Sequence, residues 1–186
     1  FPERISFLVG DLRHIPIKDH SLDVAISLDT IQNMYGNSLA VEDIVKAYIG
    51  ESTRVVKAGG KVVLGTRHPI PRNKSQEVFF ESRIFEKKLE YVLWGEQSRH
   101  YFEHELLSWF KKVGALEVEA EVMEHNIPFP SDARKHANER IDGRLKQVQP
   151  HSIRAKLEEE FHKLLEKAET HGEEWLPTLL LCWTKS

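Results

Sequence analysis

The stretch ISFLVGDLRHIPIKDHSLDVAISL, residues 5–28, contains two short apolar runs separated by a polar turn. The first run, residues 5–9, ends at Gly10 and Asp11, and the second run begins at Asp23. Short apolar runs bounded by turn residues are typical of buried strands in a parallel sheet. Asp11 is then expected at the carboxyl end of a strand, where open α/β sheets bind their ligands.

The residues that follow continue this strand pattern. Residues 39–57 carry apolar side chains at helical spacing, and we predict a helix that ends at Gly59 and Gly60, because glycine tolerates a positive φ. The run KVVLGT, residues 61–66, predicts another strand. Strands that alternate with a helix predict an α/β fold with a parallel sheet.

Four segments in this order resemble the class I S-adenosylmethionine-dependent methyltransferases. They are GDL at 10–12, IP at 15–16, DHSLDVAIS at 19–27 and ESTRVVKAGGKVVL at 51–64. Two positions depart from the family pattern, since Leu22 stands where phenylalanine is usual and Ala58 where proline is usual. Each segment alone is a weak signal, whereas their order and spacing together are specific.

The resemblance implies a Rossmann-like sheet in which strands 3 to 7 are present and strands 1 and 2, with the glycine-rich loop, are missing. In the family, the two missing strands lie between the third and fourth strands. We therefore expect residues 5–9 to lack a neighbour and residues 24–28 to form an open apolar edge, which a preceding segment or a homodimer could complete. The alternative is a different fold, in which the two apolar runs pair directly.

The resemblance also implies a cofactor site for S-adenosylmethionine. Residues at the first turn would contact the adenine, and residues at the end of the next strand would pass the methionine portion. The six positions are Gly10, Asp11, Leu12, Ser27, Leu28 and Asp29. Asp11 could instead begin a turn, and Asp29 could be an ordinary surface residue.

The sequence offers two candidate catalytic residues, Asn33 and His68. Asn33 occupies a region where related enzymes face the acceptor, although an amide orients an acceptor better than it removes a proton. His68 follows a predicted strand and is the best-placed imidazole, with an ordinary loop histidine as the alternative. No ligand spacing in the sequence indicates a metal site.

The second half of the chain contains the remaining elements of the resemblance. We predict a helix over residues 103–113, a strand with alternating apolar residues over 116–122 and a last buried strand over 176–186. Residues 78–93 fit either a strand or a helix.

An insertion of about fifty residues separates the last two strands. Two helices are predicted there, over residues 133–147 and from Ser152 to Gly172, and we interpret the insertion as a lid or substrate-recognition subdomain, or as a dimer contact. The predicted units are therefore a partial methyltransferase core at 1–125, a helical insertion at 126–175 and the last core strand at 176–186.

Composition narrows the function classes. The chain has 186 residues and a net charge of −3, which gives no general attraction to nucleic acid or anionic membranes. Cys182 is the single cysteine, which fits a reducing cytoplasm. No apolar run reaches the length of a membrane span.

We therefore predict methyl transfer from S-adenosylmethionine to a small-molecule acceptor. The alternative is a catalytically inactive relative that binds a protein partner, which the missing glycine-rich loop would permit. A reductase-like nucleotide-binding protein is less favoured, because the sequence has no G-x-G-x-x-G.

Overall fold

A four-stranded mixed sheet forms the framework of this computed structural model, which describes residues 6–34, 38–95, 100–115 and 117–185, without the side chains of 38–41. The strands are β1 (Leu22–Leu28), β2 (Val56–Arg67), β3 (Glu119–Met123) and β4 (Thr178–Thr184). Their order is β1-β2-β4-β3, with β1 parallel to β2 and β4 antiparallel to both of its neighbours. The predicted α/β class is confirmed.

Five α-helices accompany the sheet in the described part of the chain. They are α1 (Ser38–Val55), α2 (Lys74–Trp94), α3 (Glu103–Lys112), α4 (Ser131–Leu145) and α5 (His151–His171). A short 3-10 turn covers Ile31–Asn33. The ambiguous residues 78–93 are therefore helical, and both α4 and α5 lie within residues 126–175.

The predicted end of α1 at Gly59 and Gly60 is wrong. The helix ends at Val55, and Val56 already pairs with Leu22 as a strand residue. Gly59 does adopt a positive φ of 76°, but it does so inside β2, where the register with β1 shifts. The glycine therefore permits an irregularity in the strand rather than a helix end.

The strand predicted at residues 5–9 is also not formed. Residue 5 lies outside the described residues, and residues 6–10 have no regular structure, with Phe7 93% exposed. The described residues of this segment do not pair with β1, so the alternative fold with two directly paired runs is wrong. A strand needs a neighbour for its backbone groups, and the described residues supply none here.

Among the described residues, β2 is the only strand that pairs with β1, so β1 forms one edge of the described sheet. Val24, Ile26 and Leu28 alternate along β1 and share one face, and they are between 48% and 66% exposed, so that face is largely uncovered by the described residues.

The core has two main parts. One part packs the sheet against α1 and α3, where the rings of Phe110 and Trp183 meet at 4.5 Å. The other lies between α2, α4 and α5, where Phe85 stacks on Phe161 at 5.6 Å. The helical layer thus has its own apolar core, which holds α2, α4 and α5 together.

Candidate functional site

An apolar groove runs along the open side of β1. It has a volume of about 320 Å³, and we call it the edge groove. Its walls include Leu8, Gly10, Asp11, Leu12, Ala25 and Ile26. The first three predicted cofactor residues therefore line one hollow together.

Two residues of α1, Arg54 and Glu51, hold the wall formed by residues 10–17. Arg54 donates to the carbonyl of Ile15 at 2.9 Å and to that of Ile17 at 3.0 Å, while Glu51 accepts from the backbone N–H of Ile15 at 2.8 Å. Gly10 is needed for this path, because a Cβ there would meet the Pro16 ring at 2.6 Å.

Asp11 is an ionised acceptor at the mouth of the edge groove. Its carboxylate accepts from the backbone N–H of Arg13 at 2.8 Å and pairs with the Arg13 guanidinium at 2.6 Å. The hydrogen bonds from Arg13 lower the pKa of Asp11 to about 2. The carboxylate is therefore charged throughout the physiological pH range.

The other three predicted cofactor residues follow at the carboxyl end of β1. Ser27 is 9% exposed, and its hydroxyl has no hydrogen-bond partner among the described atoms. Asp29 has a φ of 52° and donates its backbone N–H to Gly65 at 2.9 Å. Leu28 is exposed beside Gly65, where a Cβ would collide with the leucine at 2.6 Å.

Polar side chains lock the turn after β1. Gln32 donates to the Asp29 carboxylate at 2.7 Å and accepts from the hydroxyl of Thr66 at 2.6 Å. Asn33 donates to the Asp29 carbonyl at 2.7 Å. The Asp29 carboxylate also lies 3.8 Å from the Arg67 guanidinium, so this turn connects the end of β1 to the end of β2.

A second hollow lies beyond this turn, between the carboxyl end of β2 and helices α2 and α4. Its volume is about 300 Å³, and we call it the basic cavity because five cationic side chains line it. These are Arg67, Arg83, Lys87, Arg140 and Arg144. Glu86 and Glu90 are the carboxylates in its wall, and His100 and Asn33 also line it.

Burial changes the ionisation of the cavity side chains. Desolvation lowers the pKa of Lys87 to about 7, with the positive charges of Arg67 and Arg83 acting in the same direction. Burial also lowers the pKa of His100 to about 3, again helped by the neighbouring cations. His100 is therefore neutral at pH 7, and Lys87 changes its charge near that pH.

The two predicted catalytic residues occupy different places. Asn33 lines the basic cavity. His68 is 6% exposed, donates its backbone N–H to Pro177 at 2.7 Å and is not among the cavity-lining residues described. Sequence reasoning missed Arg67 and Lys87, although the position of Arg67 directly after a predicted strand was a usable signal.

The described residues add two further findings. They contain no group of three His, Cys, Asp or Glu side chains arranged to hold a metal ion. In the same residues, every helix is too short or too polar to cross a membrane.

A family model described as a methyltransferase domain matches residues 1–64. No curated protein matches the chain closely enough to count as a relative.

Solved structures match over nearly the whole chain. A cyclopropane-fatty-acyl-phospholipid synthase-like protein from Lactobacillus casei has a TM-score of 0.66 and 14% identity, covering 91% of this chain and 58% of that one. A SAM dependent methyltransferase from Archaeoglobus fulgidus has a TM-score of 0.51 and 10% identity, and the match covers 98% of this chain and 69% of that one. The YcgJ protein of Bacillus subtilis has a TM-score of 0.51 and 16% identity, and the match covers 95% of this chain and 69% of that one.

The chain has the fold of a class I methyltransferase. The resemblance seen in the sequence is thereby confirmed. The described sheet holds four of the five strands that the sequence predicted.

Proposed function

We propose that this chain takes part in methyl transfer from S-adenosylmethionine to a small-molecule acceptor. The observation that carries the proposal is the sheet order β1-β2-β4-β3 with an antiparallel β4, together with the basic cavity, which Asn33 of the turn after β1 and Arg67 at the end of β2 both line. In open α/β sheets ligands bind beyond the carboxyl ends of the strands, which is where this turn lies.

The edge groove is the proposed place for the nucleoside end of the cofactor. The ionised Asp11 carboxylate can accept from an exocyclic amino group, and the backbone N–H of Leu12 is a donor of the kind that a ring nitrogen needs. Groove walls such as Ala25 and Ile26 offer apolar contact to a flat ring. These features fit an adenine, and the groove volume is in the range of small-ligand sites.

The methionine end would pass the end of β1. Ser27 has a buried hydroxyl with no partner among the described atoms, and Asp29 carries a carboxylate suited to an ammonium group. S-adenosylmethionine supplies a methyl group bonded to a positively charged sulfur. Its transfer needs alignment of donor and acceptor and exclusion of water more than it needs acid–base chemistry.

The basic cavity is the proposed acceptor side. Asn33 lies there and can orient an acceptor through its amide, although it already donates to the Asp29 carbonyl. His68 stays a candidate base only if its buried ring becomes accessible on binding.

A reducing cytoplasm is the proposed location, on the basis of the single free cysteine, Cys182.

Titration calorimetry with S-adenosylmethionine and with its demethylated product tests the proposal. We expect both to bind, and we expect Asp11→Ala to weaken both, because it removes the acceptor at the groove mouth. Asp43→Ala is the matched control, since Asp43 is exposed on α1 away from both hollows. Binding that is unchanged in Asp11→Ala would remove Asp11 from the cofactor site.

A protein-interaction role is the second candidate, and the open edge of β1 favours it. Val24, Ile26 and Leu28 expose apolar side chains, and no described strand pairs with the side of β1 opposite to β2, an arrangement that accepts an added strand from another segment. The same calorimetry separates the two candidates. If neither the cofactor nor its product binds, the partner-binding role is the better explanation.

A further inference from the structure

The basic cavity concentrates positive charge in a chain that is negative overall. Five cationic side chains face two carboxylates, an excess of three positive charges when Lys87 is protonated, whereas the whole chain carries −3. Surface lysines and arginines usually point into water, but here they converge on one space of about 300 Å³.

The carboxylates of the cavity are already shared. Glu86 accepts from Arg140 at 2.6 Å, from Arg83 at 2.8 Å and from Arg144 at 3.1 Å. Arg144 also reaches Glu90 at 3.0 Å. Since one carboxylate serves three guanidinium groups, these two acids offset the positive charge of the cavity only in part.

Arg67 and Lys87 are those remaining cations. The Lys87 ammonium and the Arg67 Nε–H are buried and have no hydrogen-bond partner among the described atoms. The acid nearest to Arg67 is Asp29, at 3.8 Å, and its guanidinium stacks over the Trp175 ring at 4.7 Å. Buried cationic donors without acceptors are unfavourable, so the arrangement suits an anion that supplies the missing acceptors.

Aromatic rings hold the Arg67 guanidinium, which lies 4.7 Å from the Trp175 ring centre and 5.7 Å from the Phe79 ring centre. Lys87 lies on α2, which Phe85 and Leu89 anchor in the helical core. Rigid placement matters, because an anion gains most from charged donors that do not have to be ordered on binding.

We infer that the basic cavity binds an oxyanion group of a small ligand, a carboxylate or a phosphate, through Lys87 and Arg67. The cavity adjoins the turn at Asp29, so we take this ligand to be the methyl acceptor. This identification of the ligand rests on the proposed function. The binding itself does not depend on that function. The volume of about 300 Å³ suits one small anion rather than a nucleic-acid backbone.

Calorimetry of the 186-residue chain with inorganic phosphate and, separately, with acetate tests the inference, each at an ionic strength matched with sodium chloride. We expect saturable binding of at least one anion that chloride does not reproduce. Phosphate alone would indicate a phosphate-bearing ligand, and acetate alone would indicate a carboxylate. Binding of neither would overturn the inference.

Lys87→Met is the decisive variant. Losing a charge-assisted hydrogen bond is expected to weaken anion binding about tenfold or more, whereas Lys163→Met, on the exposed face of α5, leaves it unchanged. Thermal unfolding without anion checks that Lys87→Met folds. We expect the variant to have an unfolding temperature no lower than that of the natural chain, because the substitution removes a poorly compensated buried cation. Equal anion affinity in both variants would overturn the role of Lys87.

Proton uptake gives an independent measure. The charges facing Lys87 are Arg67, Arg83, Glu86 and Glu90, and a bound anion would add a negative charge that stabilises protonated lysine. At pH 7.5 to 8 acetate is already fully ionised, so we expect its binding to take up a proton on Lys87, seen as a calorimetric enthalpy that varies with the buffer, and this uptake should vanish in Lys87→Met. Phosphate itself exchanges protons in this range, so for phosphate the contribution of Lys87 is the difference between the natural chain and Lys87→Met. This test uses no S-adenosylmethionine, so failure to bind the cofactor would leave its outcome intact.

Discussion

The edge groove lies between β1, α1 and residues 8–17, whereas the basic cavity lies beyond the carboxyl end of β2, and the two are built in opposite ways. The groove is apolar, and its outer wall is a segment without regular structure. The cavity is charged, and the packed helices α2 and α4 line it. The comparison shows that the described residues finish one side of the sheet and leave the other side open.

The difference lies in where stabilising burial is found. Phe85, Leu89 and Ile141 are at most 2% exposed in the helical layer, whereas Phe7 and Val9 beside the groove are almost fully exposed. Apolar burial is the dominant favourable contribution to folding, so the cavity side should be rigid and the groove side adaptable. Three predictions sharpen this contrast.

The largest expected effect is on the helical layer. Phe85→Ala should lower the free energy of unfolding by about 3–5 kcal/mol, because it removes a buried ring that stacks on Phe161 and leaves a cavity. Denaturant titration measures the change. Ile84→Ala, whose side chain is 47% exposed on the same helix, is the control and should change stability little. Equal losses in both variants would mean that the helical layer is not tightly packed.

An intermediate effect concerns acid stability. Burial lowers the folded-state pKa of His100 to about 3 from an ordinary value of 6.5. Between those values the unfolded chain binds a proton that the folded chain does not, so stability falls as pH drops from about 6.5 towards 3. His100→Gln should therefore gain roughly 2–4 kcal/mol relative to the natural chain at pH 4 compared with pH 7.5.

The control for His100→Gln is His162→Gln, at an exposed position on α5. Urea titrations at pH 7.5 and pH 4 should show the relative gain only for His100. The same pH dependence in both variants, or none in either, would contradict a buried neutral imidazole in the cavity wall.

The smallest expected effect on stability is at the open edge. Ile26→Lys should change the free energy of unfolding by less than about 0.5 kcal/mol, because the side chain is 66% exposed. It should nevertheless reduce self-association, since lysine on an edge strand blocks strand addition. Sedimentation velocity measures the association, with Ile153→Lys on α5 as the control. Lower self-association in both variants, or in neither, would argue against β1 as the strand through which the chains associate.

The two hollows also differ in how far sequence anticipated them. Gly10, Asp11 and Leu12 lie next to one another in a motif with a known resemblance, so their shared groove followed from a local pattern. Arg67, Lys87 and Arg144 come from β2, α2 and α4 and meet only in three dimensions. A charged residue on a helix is normally solvent-facing, so nothing in the sequence of α2 identified Lys87 as buried.

Helix α2 shows the same limit. Its buried face includes Glu86 and Glu90 beside Phe85 and Leu89. Two carboxylates on an inward face obscure the apolar periodicity, which is why residues 78–93 fitted either a strand or a helix. Their burial is intelligible only once the arginines of α4 are in place to pair with them.

By itself, the sequence determined which segments become the four strands and that the edge of β1 would be left open, because apolar runs, turn residues and motif spacing act over short distances. Only the tertiary structure decided that residues 6–9 form no strand and that five cationic side chains line one cavity. The backbone of a strand needs a neighbouring strand for its hydrogen bonds, and a charged side chain is desolvated only when other elements pack around it. Both depend on elements that are distant along the chain.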